Sequence, residues 1–335
     1  MLKIEVDNRN GRLWDVTALV PELNWKTSRI GKAGTLDFQI VRNRSLGLRE
    51  QLPLACGNVV RVWHGDRRLF YGFIFTLDES QDRVISVKAQ DQLRYLLETD
   101  TYVKANVTAT QVIKDQAMAI KGLMGPIADT SHAIPKFSQD GQKRLDMIFK
   151  ALDETLMAKG MLFVFYDEAG YMTLRNVMDM KAEIIVGDNS LLYGYSYSRS
   201  IDSETYNRIK LVRDNKETGK RDVYIEQDNA SIARWGQLQF YQKVDEKLNE
   251  EQIKEMSHRI MQLKNREQRK FSLEALGHPG IRGGSVVQVT IEQLGLNRNF
   301  LVEECTHNYK GQGHTMQLEL RVFDGLIEER GRDGK

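Results

Sequence analysis

Cysteine is nearly missing from this chain of 335 residues, which has two, Cys56 and Cys305. So few thiols exclude a disulfide-stapled scaffold, and a chain of this length buries about three quarters of its unfolded surface without staples. A bridge between the two stays open as an alternative. The opening "MLKIEVDNRNGRLWDV" has no basic-then-apolar leader, so the expectation is cytosolic synthesis with reduced thiols and no secretion signal of its own. Net charge is nearly absent too. Against 48 basic side chains stand 46 acidic ones, which argues against a chain built mainly to grip nucleic acid or an anionic membrane. No apolar run approaches the roughly 18 residues that span a bilayer. What remains, 41% hydrophobic and 28% charged residues, is ordinary for a soluble globular protein of two or three domains.

One β-meander is present twice. "GNVVRVWHGDRRLFYGFIFTLDESQDRVISVKAQD" begins at Gly57 and "GSVVQVTIEQLGLNRNFLVEECTHNYKGQGHTMQLELRV" at Gly284. Each opens with Gly-x-Val-Val-x-Val, turns at a polar tip, restarts on an aromatic-led strand (Phe70, Phe300) and closes on an alternating strand. Each also follows an apolar strand, "LDFQIV" ending at Val41 and "KFSLEAL" ending at Leu276. The pattern reads as an internal duplication.

Around the repeat the period of the pattern changes twice. Residues 1–103 read as six short strands whose spacing favours a closed or nearly closed barrel over an open sheet. Residues 104–190 read as a small α/β module. Its first helix has Thr108 and Gln111 as a capping box and Gly122 as a stop. The second carries the stripe Leu145, Ile148, Phe149, Leu152 and Leu156 up to Gly160, and a hairpin turns at Asp167–Gly170. Residues 191–325 read as a second β-barrel domain with a charged helix inserted at about 249–266, capped by Asn249 and Gln252 and striped by Ile253, Met256, Ile260 and Leu263. Residues 326–335 read as a flexible tail. The fold class expected is α+β, mainly β: two related β-barrel-like domains flanking a small α/β module, with a charged helix inserted in the second β region.

Few side chains form a chemically distinctive set. Cys305 and His307 alternate onto one face of a strand, and the turn "YKGQG" can fold His314 back beside them, a soft trio compatible with zinc. A structural zinc takes four ligands and no fourth is evident, so the preferred reading is a strand whose polar groups satisfy one another or face a partner. A thiol hydrolase needs a cysteine paired with a histidine, and Cys56 and His64 flank a strand that separates them. A glycosidase needs two carboxylates across a cleft, whereas Asp153 and Glu154 are adjacent on a helix and point apart. "GHPGIRGG" (Gly277–Gly284) joins strand to strand and "GKAG" at Gly31 lacks the rest of a phosphate loop. In "DNKETGKRD" Lys216 and Thr218 stand where calcium needs oxygen donors, which leaves a hairpin tip. Trp63, Phe70, Tyr71 and Phe73 could stack on bases, but alternating strand aromatics are more often core. No catalytic residue and no cofactor are expected.

Taken in order, the segments "RLFYGFI", "VKAQDQLRYLLETD", "TATQVIKDQA", "LDMIFKAL", "GYMTL", "YSRSIDSETYNRIKLV", "ASIARWGQLQF", "LEALGHPGIRGGSVVQV" and "FLVEECTHNYKGQGHTMQLEL" cover nearly the whole chain. In that order the chain resembles the baseplate hub proteins of phage tails and tailocins, in particular the family of the PBSX-prophage hub component and the late-control hub proteins, which are similar to the central hub of T4-type baseplates. The resemblance implies a non-enzymatic structural protein of the virion or of a bacteriocin-like particle. It would be a homotrimeric ring whose two barrel-like domains per chain give pseudo-sixfold symmetry, seated between a hexameric tail tube protein and a trimeric spike protein, with other baseplate proteins around it. DNA would at most pass through the lumen, and no stable membrane association is implied. The other classes weighed are a tail-associated cell-wall-degrading enzyme and a β-barrel module binding nucleic acid or saccharide.

Overall fold

A computed structural model describes residues 1–41, 52–81, 84–188, 190–202, 204–215, 219–246 and 248–323. The tail expected at 326–335, and Lys216 and Thr218, lie outside the described residues. The chain forms two compact units, one of Met1–Tyr195 with Ser272–Lys335 and one of Ser196–Phe271.

Strands come first: β1 (Leu2–Asp7), β2 (Leu13–Asp15), β3 (Glu22–Ser28), β4 (Thr35–Val41), β5 (Val59–His64), β6 (Arg67–Glu79) and β7 (Val84–Gln90). Their period is two: in β4, Leu36, Phe38 and Ile40 are buried while Thr35, Asp37 and Gln39 are not. The α/β part follows as β8 (Thr99–Thr108), α1 (Ala109–Ala119), β9 (Met124–Ile127), β10 (Ala133–Lys143), α2 (Arg144–Lys159), β11 (Phe163–Asp167) and β12 (Met172–Asn176). Then come β13 (Lys181–Gly187) and β14 (Leu192–Ser200). The smaller unit holds β15 (Arg208–Asn215), β16 (Lys220–Gln227), α3 (Asn229–Trp235), β17 (Gln239–Lys243) and α4 (Glu250–Lys264). Last among the described elements are β18 (Gln268–Leu276), β19 (Val286–Ile291), β20 (Leu296–Lys310) and β21 (Gly313–Val322).

The duplication is visible in the topology. Both meanders are antiparallel, β5-β6-β7 and β19-β20-β21, and each belongs to a five-strand set of the same order, β3-β4-β7-β6-β5 and β14-β18-β21-β20-β19. Their opening turns match bond for bond. Gly57 and Gly284 both have positive φ, +86° and +96°; their amides donate to the carbonyls of Ile74 and Val302, whose amides in turn donate to the carbonyls of Asn58 and Ser285. The Asn58 and Ser285 side chains accept from the amides of Ala55 and Arg282. One residue further along, β6 and β20 carry a register shift at the same place, Phe75 and Glu303.

The two five-strand sets share one 13-stranded sheet, because β20 also pairs with β3 from Glu304↔Ser28 to Lys310↔Glu22. This overturns closure of the β regions into barrels. The sheet curls round a core that includes Ile4, Leu23, Phe38, Val60, Phe70 and Val87, but it runs as an open path. Barrel closure of residues 1–103 would have to use the outer edge of β3, and β20 already occupies it.

In the α/β part, Thr108 accepts from the amide of Gln111, but the Gln111 side chain bonds Asp115, so only half of the expected capping box forms. Gly160 ends α2 at φ +66° in the left-handed region. Strand β11 is buried at every position: Phe163 and Phe165 enter the core with α1 and α2, while Val164 and Tyr166 pack on Val286 and Leu301. In the smaller unit α4 lies on β15 and β16, with the full Asn249–Gln252 capping box. Ile253 and Met261 are buried, Met256 and Ile260 pack beside them, and Leu263, expected on that stripe, is 60% exposed. Helix α3, capped by Asp228, was not expected from the pattern. Among the described residues, no helix is long and apolar enough to cross a membrane.

Candidate functional site

The seam where β20 meets β3 gathers the residues singled out by sequence. Both are long amphipathic strands, and their pairing sets His307 opposite Trp25, with the two rings stacked at 5.0 Å. His307 Nε2 lies 2.8 Å from the carbonyl of Ile281, which holds its proton there. Nδ1 is left to accept from His314 Nε2, 3.0 Å away. Cys305 Sγ stands 3.2 Å from His307 Nε2. The trio is therefore brought together, but Cys305 and His314 lie at opposite nitrogens of one ring and do not converge on a point. Among the described residues, no group of three His, Cys, Asp or Glu is arranged to hold a metal ion.

Further rings complete the cluster. The His314 ring stacks on Tyr309 at 4.0 Å and lies 5.5 Å from His64, while Gly277 approaches it so closely that any Cβ would collide. Burial pushes His307 down to about 4, helped by His278, Arg282 and His64, and it pushes His314 down to about 3, helped by His307. Burial likewise pushes the Cys305 thiol up. A protonated, unreactive thiol beside neutral imidazoles is core chemistry, with no nucleophile in it.

A second buried cluster escaped sequence reading. Asp91 follows β7 and accepts from the amides of Gly34 and Leu93. Asp167, at the β11 hairpin, accepts from Gln92 Nε2 and the Gly170 amide. Arg282, from the loop before β19, lies 3.8 Å over the Tyr166 ring and donates to the Asp167 carbonyl. Burial, then the Asp167 charge, raises Asp91; burial raises Asp167 and lowers Arg282. Three chain segments far apart in sequence are thus tied by buried polar bonds, and the only local signal was Asp91 in a capping position between a strand and "QLRYLL".

The remaining candidates are dispersed. The exposed Cys56 contacts the Phe75 carbonyl at 3.6 Å, whereas His64 sits by Tyr309; both cysteines are free thiols. Asp153 is exposed on α2 and Glu154 half-buried. Gly283 packs on the backbone of Ser28 and Arg29. Asp214 is held by Arg221 and Lys243. Of the aromatics, Phe70 is core, and Trp63, Tyr71 and Phe73 are half-buried under Lys3, Arg61 and Arg9. Two surface depressions, of about 440 and 320 Å³, lie on the polar outer face of β3, β4, β6 and β7.

The chain thus holds a duplicated five-strand set joined through a buried seam. The model of the YqbQ-like family matches residues 23–321. The chain belongs to the YqbQ-like family. It is 28% identical over 265 residues to the uncharacterized protein YqbQ of Bacillus subtilis (strain 168), and 29% identical over 267 residues to the phage-like element PBSX protein XkdQ of the same organism; each match covers 78% of this chain and 80% of the relative. Among solved structures, the 43 kDa tail protein of prophage MuSo2 from Shewanella oneidensis shares the fold, with TM-score 0.68 and 14% identity over 96% of this chain and 98% of that one. So does an E. coli type VI secretion component described as structurally similar to bacteriophage T4 tail proteins gp27 and gp5, with TM-score 0.56 and 11% identity over 97% of this chain and 78% of that one. The YqbQ-like fold is thus mainly β and shared with phage tail proteins.

Proposed function

We propose that this YqbQ-like chain is a structural, non-catalytic hub of a phage tail baseplate or phage-tail-like particle. Three copies form a ring with pseudo-sixfold symmetry, which adapts a hexameric tail tube to a trimeric spike. The observation that carries this reading is the same five-strand set present twice in one chain, since three chains then present six similar faces. The relative named for the phage-like element PBSX and the prophage tail protein that shares the fold support it. In this reading residues 1–103 and 191–325 build the ring and 104–190 project from it. Partners are the tube and spike proteins and other baseplate proteins, DNA at most traverses the lumen, and the chain resides in the particle without stable membrane association.

Mass photometry of the purified protein, alone and with the tube and spike proteins of its own gene cluster, should show three copies per assembly. A chain that stays monomeric and binds neither protein overturns the reading. A zymogram on cell-wall polymer should be blank, and a cleared band would favour the degrading-enzyme alternative.

A further inference from the structure

The two five-strand sets meet at one junction, and among the described residues the equivalent second junction is unmade. At the made junction β20 takes β3 on its edge from Glu304 onward, directly after its bulge. Strand β6 has the same bulge, and since Ile74 matches Val302, Thr76–Asp78 are the counterparts of Glu304–Thr306. Strand β7 covers one edge of Thr76–Asp78. Among the described residues, no strand pairs with the other. The counterpart of β3 is β14, the last strand of the sheet, and among the described residues no strand pairs with its outer edge either.

Side chains on β14 agree. The repeat aligns Phe271 with Leu36, which stands opposite Trp25; Tyr197 packs on Phe271 and Gly194 lies against Glu274, so we take Tyr195 and Tyr197 as the counterparts of Leu23 and Trp25. Those two are 1% and 5% exposed, while Tyr195 and Tyr197 are 40% and 48% exposed. From Leu192 to Ser198 there is no Lys, Arg, Asp, Glu or Pro, the residues that usually guard a free edge against pairing. The first charge is Arg199, and the matching stretch of β6 carries Asp78 and Glu79.

We propose that β14 of one copy pairs antiparallel with β6 of a second copy of this chain, repeating between subunits the β3–β20 junction made within each. This deepens the ring reading and rests on it: a head-to-tail contact of this kind propagates until the ring closes. Counterpart positions set Asp78 of one copy opposite Ser198 of the next, as Thr306 stands opposite Lys26.

The test uses the full chain with Cys56→Ser, carrying Asp78→Cys and Ser198→Cys together, or each alone. Directly opposed residues of antiparallel strands lie about 4.5–5.5 Å apart at Cα, within disulfide reach. Under mild oxidation the double variant should give a reducible covalent trimer, an equal mixture of the single variants a linked dimer, and each single variant alone neither. Arg199→Glu, which sets like charges across the junction, should weaken trimer formation about tenfold. Trimers that form without these links overturn the junction and leave the hub reading standing. A chain that stays monomeric, alone and with tube and spike proteins, overturns both.

Discussion

His307 and His314 show how one position acquires a pH dependence that its residue type does not specify. An imidazole free in the unfolded chain titrates near 6.5, and in the fold His307 titrates at about 4, chiefly because it is buried. The folded value lies below the unfolded one, so stability is fully present above about pH 6.5 and is lost as pH falls towards 4, where the unfolded chain binds the extra proton. For His307 alone the loss between pH 7.5 and 5 is about 2 kcal/mol. Urea unfolding at both pH values should show wild type losing about that much more stability than His307→Gln. Arg282 makes a complementary case, since it is buried over the Tyr166 ring, donates to the Asp167 carbonyl and feels the Asp91 and Asp167 charges. Arg282→Met strips two buried carboxyl groups of their cation and should cost about 3–5 kcal/mol in the same measurement. Sequence marked Cys305, His307 and His314 as neighbours because strand alternation and a short turn are local rules. It did not bring Asp91, Asp167 and Arg282 together, since nothing local draws residues on separate strands and loops to one point.

At the scale of elements, the glycine that opens each meander is the sensitive place. Gly57 and Gly284 adopt φ values that strain any other residue. Around Gly57 a Cβ meets no atom within 4 Å, but at Gly284 it would lie 2.5 Å from Val164 Cγ1. Gly57→Ala should cost about 1–2 kcal/mol, and Gly284→Ala distinctly more, because β11 must also shift; thermal melts of the two variants would rank them. Equal melting temperatures would contradict the tight fit of Gly284 against β11. Helix α4 is where pattern reading did best: its cap, its start and most of its stripe follow from i, i+3 and i+4 spacing. Leu263 left the stripe and Met261 joined it, because which residues of the last turn are covered depends on where the helix meets its sheet. Strand β11 has both its faces buried, since it runs between two cores, and alternation marks only one-sided burial.

For the whole molecule the decisive contact is β3 with β20, whose paired residues stand more than 270 positions apart in the chain. Arg29 and Glu303 fasten its start, with a 2.8 Å ion pair and a 2.9 Å backbone bond. A chain cut after Gly295 leaves the edge of β3 without its partner and should aggregate, and adding residues 296–335 in trans should restore soluble protein; recovery of a well-folded N-terminal fragment by itself would contradict this account. Short-range rules in the sequence carry the strand and helix periods, the repeat opened by Gly57 and Gly284, the stop of α2, the capping box of α4 and, through the ordered segments, the resemblance to tail hub proteins. These are short-range: φ above zero calls for glycine, and a buried face needs a period of 2 or 3.6. Tertiary packing sets the rest: the β regions share one open sheet, Cys305 and His314 straddle the His307 ring, and two tyrosines of β14 lie exposed where their counterparts are buried. Strand edges carry no side-chain signature, because pairing is made by backbone groups that every residue but proline shares.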